Sequence, residues 1–425
     1  MSVTRRINFR LYPTRQQEEK LHYWRRLHAS LYNAAVANRK TQYQRFGHSV
    51  NYLEQQNCLP AFKQVWPEYV ELGSHALQAT LKRVDSAFAR FFKGLSGYPK
   101  FKASRRYSGW TYPCKAGWKA LTDGSNGHLE LSNLGSIQIR GKARTWGTPT
   151  TCTIIWRHNK WYLSITVKCQ PVRETGIGAV GMDLGCETAA TLWDGNIAIQ
   201  VANPRYFGTT LNQVKKASKK LRRKRKPDRK KRVKASRRWL KQNARVSKLK
   251  RKAANQRQDW THKVAAQIVR CNSLVATEEL NIKGMTASAK KGKRKRQKAG
   301  LNRSILDVGM GAFLEMLEYK LQEADGFLVK VPTKKIKPSQ TCPKCGHQRK
   351  KDLSERVHLC EQCSYTTGRD VASAQVCLNY VTTGLGTSLV NARGVQTSTP
   401  IATNGWAQVW AKKRETLSES LIQAE

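Results

Sequence analysis

Two close cysteine pairs, Cys342/Cys345 and Cys360/Cys363, stand in the stretch TCPKCGHQRKKDLSERVHLCEQCSYTTGRD, which closes on a carboxylate, Asp370. Two cysteines with two residues between them turn the chain back and present both thiolates to one ion. Two such turns complete a tetrahedral Zn²⁺ site without needing a large core. The gap between the pairs is a little shorter than the roughly 15–20 residues usual for a zinc ribbon, but of the same kind. A disulfide clip is the alternative. The N-terminal MSVTRRINFRLYP carries charge with no apolar run behind it, unlike a secretory signal, so reduced thiols and one structural zinc are expected.

Partners for Asp370 lie far upstream. Asp183 sits within GMDLG, and Glu278-Glu279 close an apolar run. Singly, each acid has a dull explanation: Asp370 as a helix N-cap, Asp183 as a turn residue, the glutamates as the solvated end of a strand. Jointly, carboxylates gathered amid strong positive charge call for divalent metal. Three of them around two Mg²⁺ make a phosphodiester-cutting site, one ion activating a water and the other stabilising the leaving 3′-oxygen. Asp183 is the expected bridging ligand. Gly181 and Gly185 flank it, and small residues there let a phosphate backbone approach.

The composition says what such a site would act on. The chain has 425 residues, enough for two or three domains, and a net charge of +50 from 78 Lys+Arg against 28 Asp+Glu. That imbalance self-repels unless a polyanion neutralises it, so nucleic acid is the expected partner. A membrane surface is the runner-up, but no stretch approaches the roughly 20 apolar residues of a spanning helix. The remaining cysteines (Cys58, Cys114, Cys152, Cys169, Cys186, Cys271, Cys377) are scattered, mostly among apolar neighbours, and read as reduced core residues of an intracellular protein.

The elements that must position these groups follow from periodicity. Val3–Leu11 reads as a strand, and Tyr12-Pro13-Thr14 introduces a helix from about Arg15, with Leu21, Trp24, Leu27 and Leu31 at helical spacing. A second helical region spans Tyr52–Phe92, interrupted at Pro60 and Pro67, and ends before Gly94 and Gly97. From about Lys100 to Lys168 the period becomes two, with strands at Leu129–Leu131, Ser136–Arg140, Cys152–Trp156 and Trp161–Val167. Its aromatic residues suit either a plain antiparallel core or stacking on RNA.

After a linker at Pro171–Gly178, Ala179–Leu184, Ala189–Asp194 and Asn196–Val201 read as three successive strands. Between Lys215 and Lys252 almost every other residue is Lys or Arg. With a thin apolar seam (Leu211, Val214, Leu221, Trp239, Leu240, Val246, Leu249) and Pro227 breaking the run, this suits an exposed helical hairpin. Such density favours phosphate contact over a merely solvated face, with Lys215, Lys216, Lys219, Arg222, Arg223, Arg225, Arg229 and Arg232 as candidates. A helix at Trp260–Arg270, a strand at Ser273–Thr277, a basic linker at Ala287–Gly300, a helix at Ile305–Ala324, a strand at Phe327–Val331, the ribbon and a helix from Asp370 complete the order. From Gly384 the composition predicts a disordered tail. Three meandering strands, helix, strand, helix, strand, insertion, helix is the order of an RNase H-like domain. It would bring Asp183, one of Glu278 and Glu279, and Asp370 together.

Through RINFRLYPTRQQEEKL, GYPKFKASRRYSGWTYP, GMDLG, TEELNIKGM, the CPKCGH and CEQC knuckles and GRDVASAQVCLN, the chain over about residues 5–380 resembles TnpB, the RNA-guided nuclease of insertion sequences, and its relatives the compact type V CRISPR effectors. The resemblance implies an α+β, multidomain protein. A discontinuous wedge β-barrel (1–14 and 100–172) would carry a helical recognition lobe (15–99). A RuvC-type nuclease domain (176–337 and 366–382) would include the basic hairpin (about 209–258) and hold a zinc-ribbon insertion (338–365), with a disordered tail over 383–425. It implies Asp183, Glu278 and Asp370 as the catalytic, magnesium-binding acids. The Glu-x-Leu pattern selects Glu278, which strand alternation could not. It also implies guide RNA and target DNA as partners, a prokaryotic cytoplasmic, nucleoid-associated location, and Gln78 as a reader of a target-adjacent adenine. One departure stands out: many relatives carry Asn six residues after the last acid, where this chain has Val376, with Asn379 three further on.

Two other functions use the same acids or fold: a guided DNA-binding protein that does not cut, and a transposase that joins strands. The intact acids argue against the first, the inserted ribbon and wedge-like N-terminus against the second. On any of these readings nucleic-acid binding should weaken steeply as salt rises, because phosphate contacts release counterions. A flat plot of log affinity against log salt would contradict phosphate contact by Lys215–Lys252.

Overall fold

The computed structural model describes residues 2–170, 173–228, 231–288, 295–352 and 354–383. The expected tail beyond Thr383 and the candidate Arg229 lie outside the described residues. The chain divides into two compact units, Met1–Val172 and Arg173–Glu425.

In the first unit, β1 (Val3–Tyr12) ends at a turn whose Thr14 starts α1 (Arg15–Phe46) through a reciprocal capping box with Gln17. Gly47, in the left-handed conformation (φ 63°), stops this 32-residue helix. There follow α2 (Tyr52–Asn57), α3 (Leu59–Val65) with Pro60 in its first turn, a 3₁₀ turn over Pro67–Leu72, and α4 (Ser74–Phe92). α4 buries Leu77, Leu81, Val84 and Phe88, as its periodicity predicts. The strands β2 (Gly109–Tyr112), β3 (Trp118–Leu121), β4 (Gly127–Leu131), β5 (Gly135–Arg140), β6 (Thr148–Arg157) and β7 (Lys160–Cys169) then form a seven-stranded sheet, ordered β2-β6-β7-β1-β5-β4-β3.

The N-terminal strand thus lies mid-sheet, antiparallel to β7 along Val3–Arg10 and to β5 along Arg10–Tyr12. β2 and β3 were not legible: at four residues each they are too short to show alternation. The aromatic question divides. Within Lys100–Lys168, Trp110 and Trp161 are buried and meet edge-on at 6.2 Å, so they are core, while Phe101 stays exposed.

In the second unit, β8 (Gly178–Asp183), β9 (Thr188–Trp193) and β10 (Ala198–Ala202) form an antiparallel meander. α5 (Tyr206–Arg222) and α6 (Arg237–Cys271) make the basic hairpin, closing on Val214, Ala217, Val246 and Ala253. The hairpin was expected to stop before a separate helix at Trp260; instead α6 runs unbroken for 35 residues, since no Gly or Pro interrupts it.

β11 (Asn272–Glu278) lies parallel to β8 and to β12 (Phe327–Val331), giving the sheet order β10-β9-β8-β11-β12. Between β11 and β12 come α7 (Ile282–Met285), α8 (Lys295–Val308) and α9 (Met310–Glu323). Two expectations fail here. Residues 295–300 belong to a helix rather than a linker, and the helix read as Ile305–Ala324 is two, separated at Gly309 in the left-handed conformation (φ 75°). After β12 come α10 (Thr333–Ile336), the ribbon strands β13 (Val357–Leu359) and β14 (Thr366–Gly368), and α11 (Arg369–Thr383).

α11 packs across β8, β9 and β11. Gly181 makes this possible, because a Cβ there would stand 1.9 Å from the Ala374 carbonyl oxygen. The room expected to admit a phosphate is therefore filled by the helix backbone. At Gly185 a Cβ would meet the Thr188 carbonyl at 2.6 Å, within the turn between β8 and β9. Gly181→Ala should destabilise the second unit by about 3 kcal/mol, the upper end for overpacking, because backbone rather than a flexible side chain is in the way. An unchanged urea midpoint would contradict so close an approach.

Candidate active site and metal centres

The ribbon is built from two matching turns. In the first, the Cys342 amide donates to the His347 carbonyl and the Gly346 amide to Cys342. In the second, Cys360 donates to Tyr365 and Ser364 to Cys360. Gly346 and Ser364 hold the same left-handed place, at φ 78° and 54°. The turns bring the Sγ atoms of Cys342, Cys345, Cys360 and Cys363 within 4.8 Å of one another as free thiols. Two of the sulfur pairs stand 3.6 and 3.4 Å apart. Four sulfurs about 2.3 Å from one tetrahedral ion would be separated by roughly 3.8 Å, so the set fits a structural zinc.

The ribbon is tied to the helix that follows it. Arg369 donates to the carbonyls of Asp352 (2.7 Å) and Glu355 (3.3 Å). Tyr365 exchanges a hydrogen bond with Gln375, and Asn379 Nδ2 donates to the Pro343 carbonyl inside the first cysteine turn. Val376, where the resemblance leads one to expect Asn, is fully buried. Of these two positions, Asn379 and not Val376 sends a polar atom to the ribbon.

The acids come from three elements and line one cleft of about 760 Å³. In the parallel pair of β8 and β11, Met182 is opposite Thr277, so Asp183 and Glu278 are the next residues along and end adjacent strands on the same face. Asp370 opens α11, which lies on that face. Glu279 falls on the other side: it is exposed, and its amide donates to Val331. Strand geometry thus separates the two glutamates, which the sequence pattern alone could not.

Crowding perturbs the acids. Burial, reinforced by the charges of Glu278 and Asp370, pushes the Asp183 carboxyl up to about 8. Glu278 is also raised, chiefly by burial, while the Ser373 hydroxyl and the charge of Arg369 pull the other way. An oxygen-only, under-neutralised cluster of this kind fits hard divalent cations. Arg205, Arg303, Arg356 and Arg369 line the same cleft, as do Asp307 and Ser373.

Sequence reasoning missed these cleft residues. Ser373, one turn beyond Asp370, could have been found from helical spacing. Arg205, Arg303 and Asp307 carried no local signal. Asp307 comes from α8 and accepts from the Phe207 and Gly208 amides at 2.9 and 3.0 Å, capping α5 from outside.

Of the candidate phosphate contacts, Lys215, Lys216, Lys219, Arg222, Arg223, Arg225 and Arg232 are all exposed. Lys216, Lys219 and Arg223 join Lys220 and Arg245 around a groove between α5 and α6. Gln78 is half-buried on α4, and its side chain makes no hydrogen bond among the described residues.

The mixed α/β fold with its four-cysteine ribbon resembles that of the compact Cas12f-type effectors. The fold is similar to that of the protein in "Cryo-EM structure of the Cas12f1-sgRNA-target DNA complex", with a TM-score of 0.56 at 12% identity, covering 88% of this chain and 98% of that one. Residues 163–289 match the OrfB_IS605 family, described as "Probable transposase", and residues 311–377 match the Cas12f1-like TNB domain. Residues 1–48 match a domain described as helix-turn-helix, although they fold here as one strand and one long helix. The chain is 30% identical over 383 residues to "Putative RNA-guided DNA endonuclease InsQ" of Escherichia coli (strain K12), covering 87% of this chain and 90% of that protein. It is 27% identical over 398 residues to "Putative RNA-guided DNA endonuclease" of Streptomyces pristinaespiralis, covering 91% and 90%. The chain belongs to the TnpB family of insertion-sequence proteins. No helix among the described residues is long and apolar enough to cross a membrane.

Cys342→Ser should cost the protein its bound zinc and lower its soluble yield, read as zinc per chain by a chromogenic chelator. A variant that folds fully, with no zinc in it or in the wild type, would rule the ribbon out as a metal site.

Proposed function

We propose that this protein is an RNA-guided DNA endonuclease: it binds a guide RNA, recognises a short motif beside its DNA target and hydrolyses phosphodiester bonds in one acidic cleft. The observation that carries this is the convergence of Asp183, Glu278 and Asp370 from two strand ends and a helix start. Membership of the TnpB family and the names of the curated relatives support it. On this reading residues 176–337 and 366–382 form the RuvC-like nuclease domain and 338–365 its zinc ribbon. Residues 1–14 and 100–172 form the wedge, 15–99 the recognition lobe, and the protein works in the prokaryotic cytoplasm.

Asp183, Glu278 and Asp370 would hold the two Mg²⁺ ions. When bound, the pair supplies a nucleophilic water and counter-charge for the leaving 3′-oxygen. The chain's own residues do the rest. Arg205, Arg303, Arg356 and Arg369 draw a phosphate backbone toward acids that would otherwise repel it. The exposed lysines and arginines of α5 hold an A-form guide–target duplex by its phosphates, leaving sequence to base pairing. Gln78, with its amide uncommitted, reads an adenine edge in the flanking motif.

Asp183→Ala should reduce cleavage by the purified protein–RNA complex to background in Mg²⁺ while leaving RNA and target binding nearly intact. Loss of binding along with cleavage would make Asp183 structural, and intact wild-type complex that binds its target without cutting would favour a regulator. Sequencing the RNA that copurifies with the protein identifies the guide.

A further inference from the structure

Serine and threonine inside helices commonly return their hydroxyl to the carbonyl one turn back. Thr382 and Thr383 do this on α11, donating to Leu378 (3.2 Å) and Asn379 (2.8 Å). Ser373 does not. Its Oγ lies 3.2 Å from Asp183 Oδ1 and 3.1 Å from Glu278 Oε1, and the residue is only 1% exposed.

Volume alone does not explain a serine here, for its neighbours Ala372 and Ala374 are buried on the same helix with no hydroxyl. The other buried polar residue of α11, Gln375, is committed to Tyr365, and Val376 offers no polar atom. Besides the charged Asp370 and Arg369, which line the same cleft, Ser373 is therefore the polar side chain that α11 brings to the ends of β8 and β11. Among the described residues it is also the sole hydrogen-bond partner of either strand-end carboxylate. Asp183 Oδ2 and Glu278 Oε2 are left without one.

We propose that Ser373 is a positioning residue of the metal site: its single hydroxyl proton, carried between two acids on separate strands, is shared between one oxygen of each and so sets how the pair presents its remaining oxygens to divalent cations. The inference rests on the two-metal reading and deepens it. Groups that orient ligand side chains commonly govern metal affinity by about 10–100-fold. Ser373 accordingly acts on the occupancy of the site, and through that on cleavage.

Isothermal titration of Mn²⁺ into the full chain freed of nucleic acid tests this, with Asp183→Ala as the measure of uptake elsewhere on the protein. Ser373→Ala should weaken the specific uptake about tenfold. It should also raise the Mg²⁺ concentration for half-maximal cleavage by the protein–RNA complex to a similar extent, with a far smaller fall in the rate at saturating Mg²⁺. Ser373→Thr, which keeps the hydroxyl, should lie nearer the wild type in both measurements. Ser373→Ala uptake equal to wild type would overturn the proposal. So would Ser373→Thr uptake as weak as that of Ser373→Ala, which would assign the loss to packing. Wild-type uptake no greater than that of Asp183→Ala would instead overturn the metal-site reading itself, and this inference with it.

Discussion

A helix backbone pressed against a strand with no side chain between them is the contact on which the candidate site depends. Gly181 leaves the space that the Ala374 carbonyl occupies. Were the helix held off by the width of a methyl group, Asp370 and Ser373 would retreat from the strand ends that carry Asp183 and Glu278. Close packing of this kind is stiff, since interiors pack like crystals and transmit small displacements. The register of two parallel strands settles one half of the acid cluster, and the seating of α11 settles the other.

The ribbon acts on the same helix from its other side. Arg369, Gln375 and Asn379, spread over more than two turns of α11, are each tied to the ribbon by a hydrogen bond. Asp370 and Ser373 fall between those ties. A ribbon of this size has little apolar core to hold itself, and its four sulfurs are placed so that one shared ion would hold it. The cysteine cluster and the acid cluster are thus mechanically linked through one helix although they share no residue.

Electrostatics explains why so basic a chain keeps a pocket of acids. A net charge of +50 attracts polyanions from all sides but has no single direction. The cleft is directional: there burial and mutual repulsion leave Asp183 and Glu278 in want of counter-charge. The surrounding arginines offer only part of it. The long basic hairpin is braced at its base by Asp307, which caps α5 and accepts from Arg257 on α6, so charged surface and cleft share a structural member.

How much of this was legible in the chain follows from the range of each interaction. Local rules were enough for the cysteine turns, the helix start after Thr14, the amphipathic faces of α1 and α4 and the meander of β8–β10, because each is decided by residues a few positions apart. The order of these elements together with the family resemblance was enough to nominate Asp183, Glu278 and Asp370. The strands too short to alternate escaped notice, as did the continuity of α6 through Trp260 and the split at Gly309, where a single backbone conformation outweighed an uninterrupted apolar period. Only the folded chain could show that Gly181 makes room for a helix rather than a phosphate, that Glu279 turns away, and that Ser373 stands between two acids 95 and 190 residues before it. Those facts belong to contacts between distant segments, and no local pattern encodes which distant segments will meet.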